Sequence, residues 1–273
     1  MLGVVLAEAG HDVTILASDR TSAVINVEGL TLRSGSLGEL HATVPARPWL
    51  TSPVDILVVA VKAPDLLAAL ARVPAPLVRG AAVVPLLNGI DHVPLLRAAF
   101  PQSAVLPMTV SAEATRVAPG VIEHLSPFAE YAISAGRREV AHDPGAVLAA
   151  AGLDVDTSAP DEATLLWRKL SFLAPLALLT THARAPIGPA RDERPDLLDA
   201  LVDEAASAAA RDEVAIERVA VRERMLGLPP TMKSSMLKDA EAGAVLELDA
   251  IAGPILRAGP SPATRRIVGE LLT

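Results

Sequence analysis

The chain has 273 residues, 51% of them apolar, which is enough to bury the core of one large domain or of two ordinary ones. A formal net charge of -8 and an aromatic content of 2% argue against a surface that tracks phosphates or stacks bases. The lack of cysteine excludes disulfides, thiolate metal sites and a cysteine nucleophile. The longest apolar stretch, residues 170–179, contains Ser171 and Pro175 and is shorter than the roughly 18 apolar residues of a spanning helix. Without a basic leader at the N-terminus, we expect a cytoplasmic protein that binds neither nucleic acid nor a membrane.

The N-terminal part of the sequence alternates between helix and strand patterns. Residues 2–9 are typical of an amphipathic helix that ends at Gly10, and a β-branched run follows at residues 12–17. The runs at 55–61 and 81–87 are apolar on both faces, as expected for central parallel strands covered by helices. The remaining elements predicted in this part are helices at 65–71 and 93–100 and strands at 105–110, 120–124 and 131–134. The alternation predicts an α/β fold with a Rossmann-like, doubly wound parallel sheet.

From residue 158 onward the pattern is helical. Ser158, followed by Pro160, Asp161 and Glu162, is a helix start signal, and the helix is predicted to reach about Thr181. Further helices are predicted at 197–222, 231–242, 248–258 and 262–272. We therefore predict a dinucleotide-binding domain over residues 1–157 and an all-helical substrate domain over residues 158–273.

Polar residues follow the two apolar strands of the predicted sheet. Lys62 comes after the first of these strands, and Asn88-Gly89 after the second. Open parallel sheets bind ligands at the carboxyl ends of their strands, which makes both positions candidates for a cofactor site. The alternative interpretations are a solvated charge for Lys62 and an ordinary turn for Asn88-Gly89.

The predicted long helix carries a lysine within an apolar surface. Lys169 shares one helical face with Leu173, Ala177 and Thr180. Such a lysine usually extends its ammonium to water, and that alternative stays open. Glu247, further along the chain, could pair with a lysine. The six histidines show no metal-ligand spacing, so no metal is expected; they are interpreted as structural, although His92 lies close to the Asn88 turn.

Several segments, taken in order, resemble the ketopantoate reductase family, the NADPH-dependent 2-dehydropantoate 2-reductases. The segments are LAEAGHDVTIL, VKAPDL, LLNGIDH, APGVIEH, WRKL, and SSMLKDAEAG with its ELDAI continuation. The resemblance runs from Gly3 almost to the C-terminus, and the order of the motifs makes it specific. It implies a cytoplasmic oxidoreductase of pantothenate biosynthesis that reduces a 2-oxoacid or related ketone, with NADPH as cofactor and NAD as the alternative.

The resemblance also assigns roles in catalysis and substrate binding. Lys169 matches the family's catalytic lysine, which donates a proton to the carbonyl oxygen as hydride arrives from the nicotinamide. Glu247 matches the acidic partner of that lysine. Ser235 matches a hydroxyl that contacts the substrate, and Asn88 an asparagine beside both the nicotinamide ribose and the lysine.

On the cofactor side, the resemblance adds Lys62 and Gly3, where Gly3 allows the first helix to pack closely on the sheet. The arginine that contacts the 2′-phosphate in the family is replaced by Ser18, with Arg20 two residues further on. Asn88 completes the set of cofactor-binding candidates.

Two further departures from the family pattern affect ligand binding. Residue 1 already lies at the first helix, so the family's first strand and glycine-rich phosphate loop are not in this sequence; a start codon assigned too late and a genuine loss are the two explanations. Leu173 and Ala177 stand where the family has asparagines, which predicts a substrate less polar than ketopantoate. The alternative function is a catalytically inactive relic or regulatory protein without nucleotide binding. The sequence leaves a homodimer open.

Overall fold

The computed structural model describes every residue from Met1 to Thr273, and the chain divides into two compact units. The first unit consists of residues 1–61, 66–86 and 95–160, and the second of residues 62–65, 87–94 and 161–273. The α/β class with a helical C-terminal part, predicted from the sequence, is confirmed. The domain boundary at Thr157 stays a prediction.

The first unit contains all the strands. They are β1 (Ile15–Leu16), β2 (Leu30–Ser34), β3 (Gly38–Ala42), β4 (Ala46–Arg47), β5 (Ile56–Val59), β6 (Ala82–Pro85), β7 (Ala104–Val105), β8 (Met108–Ser111), β9 (Ala114–Ala118), β10 (Val121–His124), β11 (Glu130–Ile133) and β12 (Asp154–Asp156). The parallel strands form two ladders, β1-β4 and β5-β6-β7, while β3-β2-β10-β9 and β12-β11-β8 are mixed sheets. In the β5-β6 pair, Ile56 lies opposite Ala82 and Val59 opposite Pro85. The apolar runs at 55–61 and 81–87 are therefore parallel neighbours, as their composition predicts.

The helices of the first unit surround these strands. They are α1 (Leu2–Glu8), α2 (Asp19–Glu28), α3 (Leu66–Leu70) and α5 (Pro144–Ala150), together with most of α4 (His92–Ala99). Gly3 brings α1 close to the neighbouring strands: a Cβ placed on it would lie 2.8 Å from Cδ1 of Ile15. That contact is the close packing expected of Gly3. The core of this unit includes Val4, Leu32 and Ile133, which are fully buried.

The second unit is helical. Its helices are α6 (Glu162–Ala183), α7 (Ile187–Glu193), α8 (Pro195–Ala209), α9 (Arg218–Leu226), α10 (Ser235–Glu241), α11 (Leu248–Ala258) and α12 (Pro262–Leu271). α6 is the central helix, and its apolar residues pack with those of α8, α11 and α12 in one core. By length and composition α6 could cross a membrane, but 67% of its apolar window is buried inside the protein, as expected of a core helix.

The start of α6 differs from its predicted start. We expected Ser158 to cap this helix, and that was wrong, because the helix begins later and is capped by Asp161. The Asp161 carboxylate accepts a hydrogen bond from the Thr164 amide at 2.7 Å. Ser158 instead donates from its amide and hydroxyl to the Asp156 carboxylate, which forms a local turn.

Replacing the cap tests this assignment. Asp161→Ala should lower the Tm by a few degrees, because the first turn of α6 loses the side-chain acceptor for its free amides. The control is Ser158→Ala, which leaves the cap intact and should change the Tm less. Thermal unfolding followed by circular dichroism measures both. Equal losses in the two variants would contradict the assignment.

Two other helix predictions need correction. The helix predicted over residues 197–222 is interrupted after α8, where a 3₁₀ turn, Ala210–Asp212, is followed by Glu213 in the left-handed region at φ +60°. The Asp212 carboxylate accepts a hydrogen bond from the Trp167 indole at 2.7 Å, which fixes this break against α6. α10 begins at Ser235 rather than at residue 231. α7 was missed, because its sequence contains Gly188 and Pro189, which the pattern assigned to a loop.

Candidate active site

The carboxylate of Glu247 joins three segments of the second unit. Glu247 is at the N-cap position of α11 and is only 6% exposed. Its Oε1 accepts a hydrogen bond from the backbone amide of Ala63 at 3.0 Å, and its Oε2 accepts one from Nδ2 of Asn88 at 3.1 Å. A buried carboxylate needs such donors to stay charged. These two hydrogen bonds therefore fix the orientation of the Glu247 carboxylate.

Lys169 lies on α6 within the electrostatic influence of this carboxylate. Burial lowers the pKa of Lys169 to about 8, and the negative charge of Glu247 opposes part of that shift. A lysine with such a pKa is mostly protonated at neutral pH, yet releases its proton more readily than a solvated lysine. The side chain is therefore suited to protonate a developing alkoxide.

The turn that carries Asn88 is held against α11 by a close backbone contact. Gly89 has φ +82°, and a Cβ placed on it would lie 2.3 Å from the carbonyl oxygen of Ala250. Only glycine meets both conditions, the left-handed conformation and the missing side chain. Glycine is therefore required at position 89 by the backbone geometry of this turn and by its contact with Ala250.

Lys62 forms an ion pair that the sequence did not predict. Its Nζ lies 2.6 Å from Oδ1 and 2.7 Å from Oδ2 of Asp239 on α10. Lys62 is about half exposed and Asp239 is mostly covered, with side-chain exposures of 49% and 15%. One feature of the sequence indicated that Asp239 could belong to the site. Asp239 lies four residues after the candidate Ser235, and residues at this spacing share one face of a helix.

The two serines at the start of α10 have different roles. Ser234 is buried and caps the helix: its Oγ accepts a hydrogen bond from the Leu237 amide at 3.0 Å and lies 2.7 Å from Oγ1 of Thr180 on α6. Ser235, the predicted substrate contact, is exposed on the first turn. Its hydroxyl is therefore accessible to a ligand.

The residues expected to select a less polar substrate have different environments. Ala177 is completely buried in the core of the second unit, whereas Leu173 is partly exposed. Of the two, Leu173 is the one that can meet a ligand directly in this conformation.

The remaining candidates lie in the first unit. Arg20 is exposed in the first turn of α2, immediately after the carboxyl end of β1. Ser18 caps α2 by accepting a hydrogen bond from the Thr21 amide at 3.3 Å. The cation of Arg20 is therefore available on the protein surface at a strand end.

Replacing Glu247 with glutamine should lower the pKa of Lys169 below its value of about 8. The carboxylate charge favours the ammonium, so its removal favours the neutral amine. The isosteric amide keeps an acceptor for the Ala63 amide, which limits damage to the fold. The pKa can be followed by NMR of isotopically labelled lysine. An unchanged or raised Lys169 pKa would contradict the electrostatic coupling.

The chain thus combines a Rossmann-like unit with a helical unit in which the half-buried Lys169 lies within the electrostatic influence of Glu247, and comparisons with known proteins assign this fold to a class of oxidoreductases. Two family models match this chain: "Ketopantoate reductase PanE/ApbA" over residues 1–137, and "Ketopantoate reductase PanE/ApbA C terminal" over residues 162–263. The chain belongs to the ketopantoate reductase family.

Individual relatives agree with the family assignment. The chain is 28% identical over 261 residues to the uncharacterized oxidoreductase YkpB of Bacillus subtilis (strain 168), covering 91% of this chain and 84% of that protein. It resembles the 2-dehydropantoate 2-reductase of Methylococcus capsulatus with 25% identity and a TM-score of 0.85, covering 99% and 92% of the two chains. A PanE/ApbA family ketopantoate reductase from Ralstonia eutropha JMP134 gives 26% identity and a TM-score of 0.87, covering 98% and 92%.

Proposed function

We propose that the protein catalyses the NADPH-dependent reduction of a 2-oxoacid or related ketone to the hydroxy compound, with Lys169 as the proton donor. The observation that carries this proposal is the environment of Lys169, where burial lowers the lysine pKa to about 8 and the charge of Glu247 opposes part of that shift. Strongly shifted pKa values of this kind concentrate at functional sites. Glu247 in turn is oriented by hydrogen bonds from Ala63 and Asn88.

The chain's own residues account for the proton in this reaction. A bound nicotinamide dinucleotide would supply the hydride to the carbonyl carbon. Nζ of Lys169 gives one proton to the carbonyl oxygen, so that the ketone, a hydride and a proton become the alcohol, and the lysine is left as a neutral amine. The charge of Glu247 stabilises the protonated form of Lys169 before the transfer. It does so again once the neutral amine has taken up a proton from water.

Two cations, one in each unit, are separate candidates for binding a phosphate of such a cofactor. Arg20, exposed just after β1, could pair with a phosphate on the adenosine ribose, and Lys62 is a second cation at a strand end. Lys62 is already paired with Asp239, so an anionic ligand would compete with that carboxylate.

The surface of α6 supports a substrate that is less polar than ketopantoate. Leu173 lies one turn after Lys169 and is partly exposed, so the side chain nearest along this face is apolar. Where the site offers no hydrogen-bond partner for the ketopantoate hydroxyl, binding removes the water around that hydroxyl without a compensating hydrogen bond, which disfavours ketopantoate. We place the reaction in the cytoplasm, with a homodimer as an open arrangement.

A matched pair of substrates tests the proposal. Ketopantoate and trimethylpyruvate differ only in one hydroxyl group, and oxidation of NADPH or NADH with each can be followed by absorbance at increasing substrate concentration. We expect turnover with NADPH and a kcat/KM for trimethylpyruvate at least equal to that for ketopantoate. A strong preference for ketopantoate would refute the less polar substrate while leaving the reductase intact. Absence of saturable binding of either nucleotide, measured by fluorescence, would instead indicate the inactive relic.

A further inference from the structure

His92 is a buried imidazole whose polar atoms have no partner in the protein. The side chain is 5% exposed, and neither Nδ1 nor Nε2 makes a hydrogen bond of normal geometry, although the Asn88 backbone is near enough to act weakly on the ring. Buried polar groups are almost always paired, so a ring with two unpaired nitrogens calls for a partner.

The ring lies within the electrostatic influence of the candidate proton donor. His92 is the first residue of α4 and comes four residues after Asn88, whose side-chain amide donates to Glu247. The positive charge of Lys169 contributes to lowering the pKa of the ring. Burial and that charge lower the pKa of His92 to about 4, so the ring is neutral at physiological pH. A neutral imidazole has one donor nitrogen and one acceptor nitrogen.

The other charges in this neighbourhood are already paired. Asp91, which precedes the histidine, forms an ion pair with Arg257 of α11. Lys62 is paired with Asp239, and the two oxygens of Glu247 accept from Ala63 and Asn88. Lys169 is the cation whose charge contributes to the lowered pKa of His92, and its ammonium can donate to the acceptor nitrogen of that ring.

We propose that His92 is a positioning residue that accepts a hydrogen bond from the Lys169 ammonium through one bridging water molecule, and thereby helps to keep this lysine protonated. The consequence for catalysis rests on the proposed function, whereas the interaction itself does not. A hydrogen bond to the charged form favours that form. Burial lowers the pKa of Lys169, and Glu247 raises it. His92, which lies on a different element, would raise the Lys169 pKa as well.

The lysine content of the protein allows a direct measurement without any assay of turnover. The sequence has four lysines, Lys62, Lys169, Lys233 and Lys238. Their side-chain carbons can be labelled and titrated individually by NMR, with Lys169 identified from the Lys169→Arg variant. The wild-type Lys169 signal should titrate near pH 8, as its lowered pKa requires.

Two substitutions of His92 separate hydrogen bonding from packing. His92→Phe fills the space without an acceptor, and it should lower the pKa of Lys169 by about one unit, a tenfold change in the protonation equilibrium. His92→Asn restores an acceptor and should return the pKa towards the wild-type value. Since the ring is neutral throughout this titration, neither substitution removes a charge near Lys169.

The outcomes distinguish this inference from the proposed function. An unchanged Lys169 pKa in His92→Phe, or an equal fall in both variants, would overturn the positioning role even if the protein is an active reductase. If no carbonyl compound is reduced but the two variants behave as expected, the interaction stands and the proposed function fails. Should His92→Phe not fold, His92→Leu and His92→Gln provide the same comparison between an apolar and a polar side chain.

Discussion

The Lys169→Ala variant is expected to lose carbonyl reduction by about 10²–10⁴-fold in kcat, the usual contribution of a positioned general acid. Alanine removes the proton donor but leaves Glu247 held by Ala63 and Asn88. Nucleotide binding measured by fluorescence should be largely retained. In the wild-type protein the rate should fall as the pH rises through about 8, because the neutral amine cannot donate a proton.

Two controls make this prediction specific. Arg168→Ala removes an exposed cation from the neighbouring position of α6 and should keep activity near that of the wild type. Lys169→Arg keeps a positive charge but donates a proton poorly at neutral pH, so its turnover should also be low. Turnover of Lys169→Ala within a few-fold of the wild type would show that another group supplies the proton.

The second large effect is expected from Gly89→Ala. An alanine Cβ would lie 2.3 Å from the Ala250 carbonyl oxygen, and φ at this position is +82°. The left-handed conformation costs a side-chain-bearing residue about 1–2 kcal/mol, and the forced displacement of backbone adds about 1–3 kcal/mol. The free energy of unfolding should therefore fall by about 2–5 kcal/mol, and Asn88 should move away from Glu247. Chemical denaturation measures the first effect and the Lys169 titration the second.

Gly243→Ala is the matched control for this substitution. Gly243 lies in the same helical unit with φ +64°, but nothing lies within 4 Å of its added Cβ. Gly243→Ala therefore has the cost of the left-handed conformation but no steric clash with the backbone. The difference between the two variants therefore measures the contact with Ala250, and equal losses would contradict the need for close approach.

Much of the fold could be predicted because it depends on local patterns. The apolar runs that became β5 and β6, and α11 with its exact bounds, Leu248–Ala258, follow from periodicity and from Gly and Pro positions. The start of α6 could not be fixed in this way. Ser158 and Asp161 are both good capping residues, and only the folded chain decides which one meets a free amide.

The hydrogen bonds of the candidate site could not be predicted from the sequence. Lys169, Glu247 and Asn88 were identified through a family resemblance, which does not reveal which donors each oxygen of Glu247 accepts. The backbone amide of Ala63 leaves no trace in sequence, because every residue except proline offers one. Asp239 was missed since an acidic residue on an exposed helix face is ordinarily solvated.

The helical unit is built from three stretches of chain, two of them only four and eight residues long, at positions 62–65 and 87–94. Those short stretches contribute Ala63 and Asn88, the two donors to Glu247. A gene fragment encoding residues 158–273 would therefore carry Lys169 and Glu247 but not the two donors that orient Glu247. The helices at residues 158–273 therefore cannot be exchanged on their own. A chimera with a relative would have to transfer residues 62–65 and 87–94 together with the helices.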